Sequence, residues 1–169
     1  RMILIALALF IGMSIQAQSV KGDLAAGANV SYGTKDGFSN FGIGAKLQYN
    51  LTDAIRIEPS ATYFLKKDYI NMWDVNLNAH YLFPVADQFT VYPLAGVGLV
   101  GIKAEYDGFE YEGYEIEGAS ASETKIGFNL GIGGQYWMTE NFALNLEAKY
   151  QIVSDFDRPV FSFGGVYKF

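Results

Sequence analysis

FGIGAKLQYNL, residues 41–51, alternates from end to end. Phe41, Ile43, Ala45, Leu47, Tyr49 and Leu51 fall on one face; Gly42, Gly44, Lys46, Gln48 and Asn50 fall on the other. A period of two marks a β-strand with one apolar and one polar side. The fold turns on which medium the apolar side meets. Against a protein core, the strand belongs to a soluble sandwich or barrel. Against lipid, the polar side becomes the interior.

The opening segment, RMILIALALFIGMSIQAQ, has a basic start at Arg1, an uncharged apolar run from Met2 to Met13, and small or polar residues up to Ala17. That is the anatomy of a secretory signal peptide, so residues 1–17 are expected to be a leader cut before Gln18, with one domain over 18–169. The apolar run is shorter than the ~20 residues a spanning helix needs. There are no cysteines, so disulfides do not hold the exported chain together. No later stretch is long and apolar enough for a spanning helix, which leaves strands as the route into a membrane.

With Gly, Pro, Asn and Asp clusters as turn markers, the sequence divides into strands near 22–33, 39–51, 54–66, 70–83, 88–104, 124–138, 141–153 and 158–169. Alternation persists in them. Trp73, Val75, Leu77, Ala79, Tyr81 and Phe83 oppose Asp74, Asn76, Asn78 and His80. Phe142, Leu144, Leu146, Ala148, Tyr150 and Ile152 oppose Asn145, Glu147, Lys149 and Gln151. Short connections at Thr52-Asp53, Pro84 to Asp87 and Thr139-Glu140 alternate with those at Thr34–Phe38, Lys67-Asp68, Glu105–Glu123 and Ser154–Asp157. The one long connection falls in the second set, as expected when short turns face the periplasm and long loops face outward.

Aromatic residues on the apolar face gather at two levels. Tyr49, Tyr81, Phe83, Phe142, Tyr167 and Phe169 lie near one set of strand ends; Phe41, Tyr63, Trp73 and Phe161 lie near the other. Aliphatic residues fill the space between. Two aromatic girdles around an aliphatic belt match the two interfaces of a bilayer. A soluble lipocalin-like barrel would reverse the faces. The apolar side therefore meets lipid, and the expected fold is all-β: an eight-stranded antiparallel up-and-down transmembrane β-barrel.

The final segment, VFSFGGVYKF, sets Phe161, Phe163, Tyr167 and the terminal Phe169 on one face. With the leader, the strand pattern and the girdles, it makes the chain resemble the OmpA/OmpX-like family of small outer-membrane β-barrels. The resemblance implies an integral outer-membrane location, recognition of the terminal strand by the barrel assembly machinery, a monomer surrounded by outer-membrane lipid, and no cofactor.

Eight strands enclose a lumen that side chains nearly fill. Charged residues there need partners, because an unpaired buried charge costs several kcal/mol. A three-residue loop at Thr52-Asp53 would set Lys46 opposite Glu58 and Gln48 opposite Arg56. Asp23 and Lys168 share inward parity where the first and last strands meet. Lys46–Glu58 and Asp23–Lys168 are the expected interior ion pairs, with Arg56, Asp74, Glu147 and Lys149 as further charged lumen residues.

Signs of catalysis are thin. GVGLVG, residues 96–101, matches G-x-G-x-x-G, but more strand follows where a dinucleotide site needs a helix. His80, the only histidine, has inward parity close to the turn at Pro84, the wrong end and face for a lipid A-modifying enzyme; a packed lumen histidine touching Tyr92 is expected instead. No metal-ligand spacing emerges. The distinctive feature is the stretch 105–123, with Glu105, Asp107, Glu110, Glu112, Glu115, Glu117 and Glu123 and no basic residue, in a chain of net charge −6. Interleaved aromatics predict a protruding hairpin. Its charge excludes nucleic acid and fits a cationic or host-surface ligand. The expected function is a non-enzymatic surface protein serving adhesion or envelope integrity, with a lipid A-modifying enzyme or a narrow pore as alternatives.

Overall fold

The computed structural model describes residues 19–106, 109–111, 114–116 and 118–169, with residues 106–117 described by backbone alone where they are described. The leader 1–17 and the acidic-loop residues Asp107, Glu112 and Glu117 lie outside the described residues, as do the side chains of Glu110 and Glu115.

The strands are β1 (Leu24–Lys35), β2 (Phe38–Asn50), β3 (Ile55–Lys67), β4 (Ile70–Tyr81), β5 (Phe83–Ala86), β6 (Phe89–Tyr106), β7 (Phe109–Tyr111), β8 (Tyr114–Ile116), β9 (Ala119–Trp137), β10 (Phe142–Val153) and β11 (Arg158–Lys168). Each long strand pairs antiparallel with its sequence neighbour, β1 pairs with β11, and β4 pairs with β6. Among the described residues, β1, β2, β3, β4, β6, β9, β10 and β11 thus close into one ring, and β5 is a short piece of the β4–β6 turn. The end holding Asp23 and Phe169 is called the inner end here, and the opposite end the outer.

The faces follow the alternation of the sequence. Leu47, Ile43, Leu77, Leu130, Ile132, Leu146 and Phe163 point outward and are exposed, while Lys46, Gln48, Glu58, Asn76, Asn129 and Glu147 are buried. This inversion of a soluble protein places the apolar band where lipid solvates it.

Turn chemistry fixes the ends. Asp36 and Gly37 have φ of 47° and 83° and join β1 to β2 as a tight two-residue hairpin, the geometry that an Asp-Gly pair favours. At the inner end, Thr52 Oγ1 accepts from the backbone N–H of Ala54 and Ile55 at 3.2 and 2.9 Å. Thr139 Oγ1 does the same for Asn141 and Phe142 at 3.3 and 3.0 Å. Two inner turns thus share one side-chain-to-backbone device.

Two expectations need correction. The β2–β3 register sets Lys46 opposite Ser60 and Asn50 opposite Arg56, because Leu51 to Ile55 all fall between the last paired residues. The Thr52 hydroxyl organises this longer turn, so the three-residue loop and its direct Lys46/Glu58 opposition do not form. The fourth strand also ends early: β4 stops at Tyr81, and Leu82 turns inward, buried, before β5 begins.

The interior is layered. At the outer end Phe64, Met72, Val100, Val153 and Val160 form a buried apolar cluster joined by Phe38, Ile70, Ile102 and Phe156. At the inner end Ala25, Trp137, Ala143 and Val166 form another. Polar and charged side chains occupy most of the remaining interior, beside a third buried cluster of Leu82, Tyr92 and Leu94.

Candidate functional site

The first candidate site is the charged layer of the lumen. Lys46 on β2 projects between two carboxylates: its Nζ lies 3.6 Å from Glu58 Oε2 on β3 and 3.4 Å from Glu147 Oε1 on β10. The β2–β3 register makes the first pair diagonal, while Gln48 Nε2 donates to Glu58 Oε2 at 2.7 Å. Tyr92 on β6 donates its hydroxyl to Glu147 Oε1 at 2.7 Å. The Tyr92 ring stacks on His80, with centroids 4.5 Å apart and planes 11° from parallel, and lies beneath the Arg56 guanidinium at 4.7 Å. Arg56 donates through Nε to His80 Nδ1 at 3.2 Å and through Nη1 to Gln135 Oε1 at 2.9 Å. Gly133 makes room for this stack: a Cβ there would come within 2.4 Å of the Tyr92 ring.

Glu58, His80 and Glu147 each offer one ligand atom within 4.8 Å of the others. The Lys46 ammonium already lies between the carboxylates, and Arg56 engages the imidazole, so the chain supplies the positive charge that a metal would bring. Glu58 and Glu147 thus face Lys46 and Arg56, with Lys149 two residues along β10 from Glu147, and such mutual pairing is what lets buried charges be tolerated. His80 is buried between Arg56 and the Tyr92 ring.

The remaining charged lumen residues divide. Asp74 pairs with Arg158 Nη2 at 3.7 Å and accepts from Asn76 and Gln151 at 2.9 and 3.3 Å. Arg158 also lies over the Phe64 ring at 4.2 Å and donates to Gln151 Oε1 at 3.0 Å, which anchors the outer apolar cluster to the polar layer. Sequence reasoning passed over Arg158, although its parity with Ser162 and Gly164 on β11 carries the signal. Lys149 forms no ion pair among the described residues. At the inner end Lys168 Nζ lies 3.7 Å from Asp23 Oδ2 and 5.0 Å from the Trp137 ring. Trp137, beside the outward Tyr136, is a further inward aromatic that alternation alone would have located.

The second candidate site is the outer rim. Lys35 Nζ donates to the Asp155 carbonyl at 2.7 Å, Lys67 Nζ to Ser39 Oγ at 3.2 Å, and Lys125 Nζ to the Ser154 carbonyl at 3.0 Å. These lysines tie the short turns to their neighbours. The β6–β9 hairpin escapes that rim. Its neighbours stop at Ile70↔Ala104 and Val153↔Gly127, whereas the β6–β9 ladder runs on to Tyr106↔Ala119. Beyond it β7 and β8 pair through Phe109↔Ile116, Glu110↔Glu115 and Tyr111↔Tyr114. Of the acidic residues there, Glu105 bonds to Lys103, whose hydrogen bond and charge hold the Glu105 carboxyl below the ordinary carboxylate range, and Glu123 lies 3.6 Å from Lys125.

Tyr49, Trp73, Tyr81, Phe142, Tyr167 and Phe169 are exposed, and half-buried Phe83 packs on Tyr81 with ring centroids 4.8 Å apart.

Known proteins share this architecture. Neisserial surface protein A superposes with a TM-score of 0.66 at 18% identity, covering 87% of this chain and 96% of that one. Ail, the attachment invasion locus protein of Yersinia pestis, gives 0.60 at 21% identity over 89% of this chain and all of its own, 100%. At such identities these likenesses concern the fold. A curated relative, outer membrane protein PagN of Salmonella typhimurium, is 33% identical over 84 residues, which is 50% of this chain and 35% of PagN. The chain thus matches about a third of that relative's length. The model of the outer membrane protein beta-barrel domain matches residues 3–169, and with the closed, lipid-faced ring this establishes that the chain belongs to that family of integral outer-membrane proteins.

Proposed function

We propose that this barrel is a non-enzymatic surface protein that presents the acidic β6–β9 hairpin to a cationic or host-surface partner. The observation that carries the reading is the continuation of the β6–β9 ladder to Tyr106↔Ala119 after both neighbouring strands have ended. A paired ribbon keeps its shape at the tip of a rigid support, as a presenting element requires. The stretch 105–123 concentrates seven acids on it without a base. Ail has been solved with a heparin analogue, sucrose octasulfate. Here the charge on the hairpin has the opposite sense for such a ligand, and a positively charged patch on a partner protein fits it better. Apolar clusters at both ends of the lumen favour this reading over a pore.

The test compares the full-length protein in lipid nanodiscs with a variant carrying Gln or Asn at the seven acidic positions. Binding to epithelial cells and to a polylysine surface is expected to fall at least tenfold in the variant, with a salt dependence lost alongside it. Equal cell binding by both forms refutes the reading. Planar-bilayer recordings are expected to show no stable solute current.

A further inference from the structure

On the outward face of β3, β4 and β6, immediately beyond the Trp73 level, three hydrogen-bond donors converge on one carboxylate. Trp73 lies opposite Tyr63 on β3 and Gly101 on β6, and its indole lies flat on that glycine, where a Cβ would meet the ring at 2.1 Å. Two residues farther out, Asn71 of β4 stands opposite Lys103 of β6, and Glu105 follows with its N–H bonded to the Tyr69 carbonyl at 2.8 Å. Even-numbered residues of β3 point inward as far as Phe64. The register slip between Phe64 and Lys67 ends that parity, and Lys66 reaches Glu105 Oε2 at 3.6 Å. Asn71 Nδ2 donates to the same oxygen at 3.5 Å, and Lys103 Nζ binds Oε1. The side chains of Lys66 and Lys103 remain 41% and 50% exposed.

This arrangement does not serve the lumen, and the surface hairpin does not require it. Asn71 and Lys103 share the outward parity of Trp73, Val75 and Leu99 and stand one turn of alternation beyond the girdle residue Trp73, the direction in which the headgroups of a bilayer would lie, while the slip turns Lys66 out beside Leu65. Two ammonium groups and an amide around one anionic group match a phosphate monoester, whose three free oxygens accept charge-assisted bonds from several donors at once. We propose that Lys66, Lys103 and Asn71 form a binding site for the phosphate of a surrounding lipid headgroup, and that the Glu105 carboxylate fills the site until the lipid displaces it. The acyl chains of the bound lipid then lie along Trp73, Leu99 and Val75. A bulge that turns a lysine out of the lumen has a use in this setting, since bulges re-aim side chains. A soluble sulfated sugar could satisfy the same donors, but the aromatic and aliphatic wall directly beneath them favours a ligand with hydrocarbon attached.

The test measures lipid retention by the full-length protein in phosphatidylcholine nanodiscs doped with diphosphoryl lipid A or with lipid A stripped of its phosphates, counted by native mass spectrometry. Wild type is expected to prefer the phosphorylated form, at roughly fivefold per lysine engaged. Lys66→Ala/Lys103→Ala is expected to lose that preference while retaining the circular dichroism of the barrel. Glu105→Gln is expected to strengthen it several-fold, a change in the opposite direction that misfolding does not produce. Equal retention of both lipids, an unchanged preference in the double variant, or weaker retention in Glu105→Gln each overturns the proposal. Displacement of lipid A by an equal concentration of a sulfated disaccharide also overturns it and assigns the cluster to glycans.

Discussion

Lys46 and Glu147 stand 101 residues apart in sequence and meet across the lumen, with Nζ 3.4 Å from Oε1. Glu58 shares the same ammonium. Replacing Lys46 with Met removes the cation from both carboxylates, and the expected cost is about 3–5 kcal/mol. Adding Glu147→Gln to Lys46→Met should return part of it, because one unpaired acid then disappears. Urea titrations of protein folded into vesicles measure both. Independent, additive effects of the two substitutions would contradict the shared pairing.

Leu47, one residue on, faces hydrocarbon and is 49% exposed. Leu47→Arg near the middle of the bilayer should cost roughly 2–4 kcal/mol, whereas Leu47→Ala should cost much less. The same titrations in vesicles check it. Tolerance of the arginine would mean that this face does not meet lipid.

Thr52 and Thr139 each hold two backbone N–H groups through one hydroxyl. Thr→Ala at either position should destabilise the barrel by about 1 kcal/mol, and Thr→Ser should recover most of that. Because the two turns lie in different hairpins, the losses should add in the double variant.

Asp68 and Tyr69 join β3 to β4 with φ of 50° and 67°, a left-handed conformation that an aromatic residue adopts at a cost. Tyr69→Gly should therefore stabilise the folded barrel by about 1 kcal/mol, net of the lost tyrosine contacts. A lower unfolding midpoint in the variant would show that those contacts outweigh the backbone strain.

Much of this molecule was legible because a closed barrel enforces one rule on every strand. Alternation alone separates Lys46 from Leu47 and puts His80 inside, where it stacks on Tyr92. Register was less legible. The Leu51–Ile55 connection carries no Asn-Gly or Asp-Gly pair, and its length is set by a threonine hydroxyl whose grip leaves little trace in sequence, unlike the Asp36-Gly37 turn. The partners of the lumen charges depend on that register and on contacts across the bore. Asp74 meeting Arg158 therefore had to be seen in three dimensions. The apolar clusters at the two ends were hidden for a different reason. Phe64, Met72 and Val160 point inward near strand ends, where neighbouring apolar residues blur the alternation.

The rung Tyr106↔Ala119 is the last of the β6–β9 ladder, and the closing pairs of the ring lie below it. Among the described residues, β7 and β8 pair only with each other, so neither adds a rung to the barrel wall. If the hairpin presents itself outward as proposed, a foreign peptide spliced between those residues is expected to be carried by a stem whose ladder is unaltered.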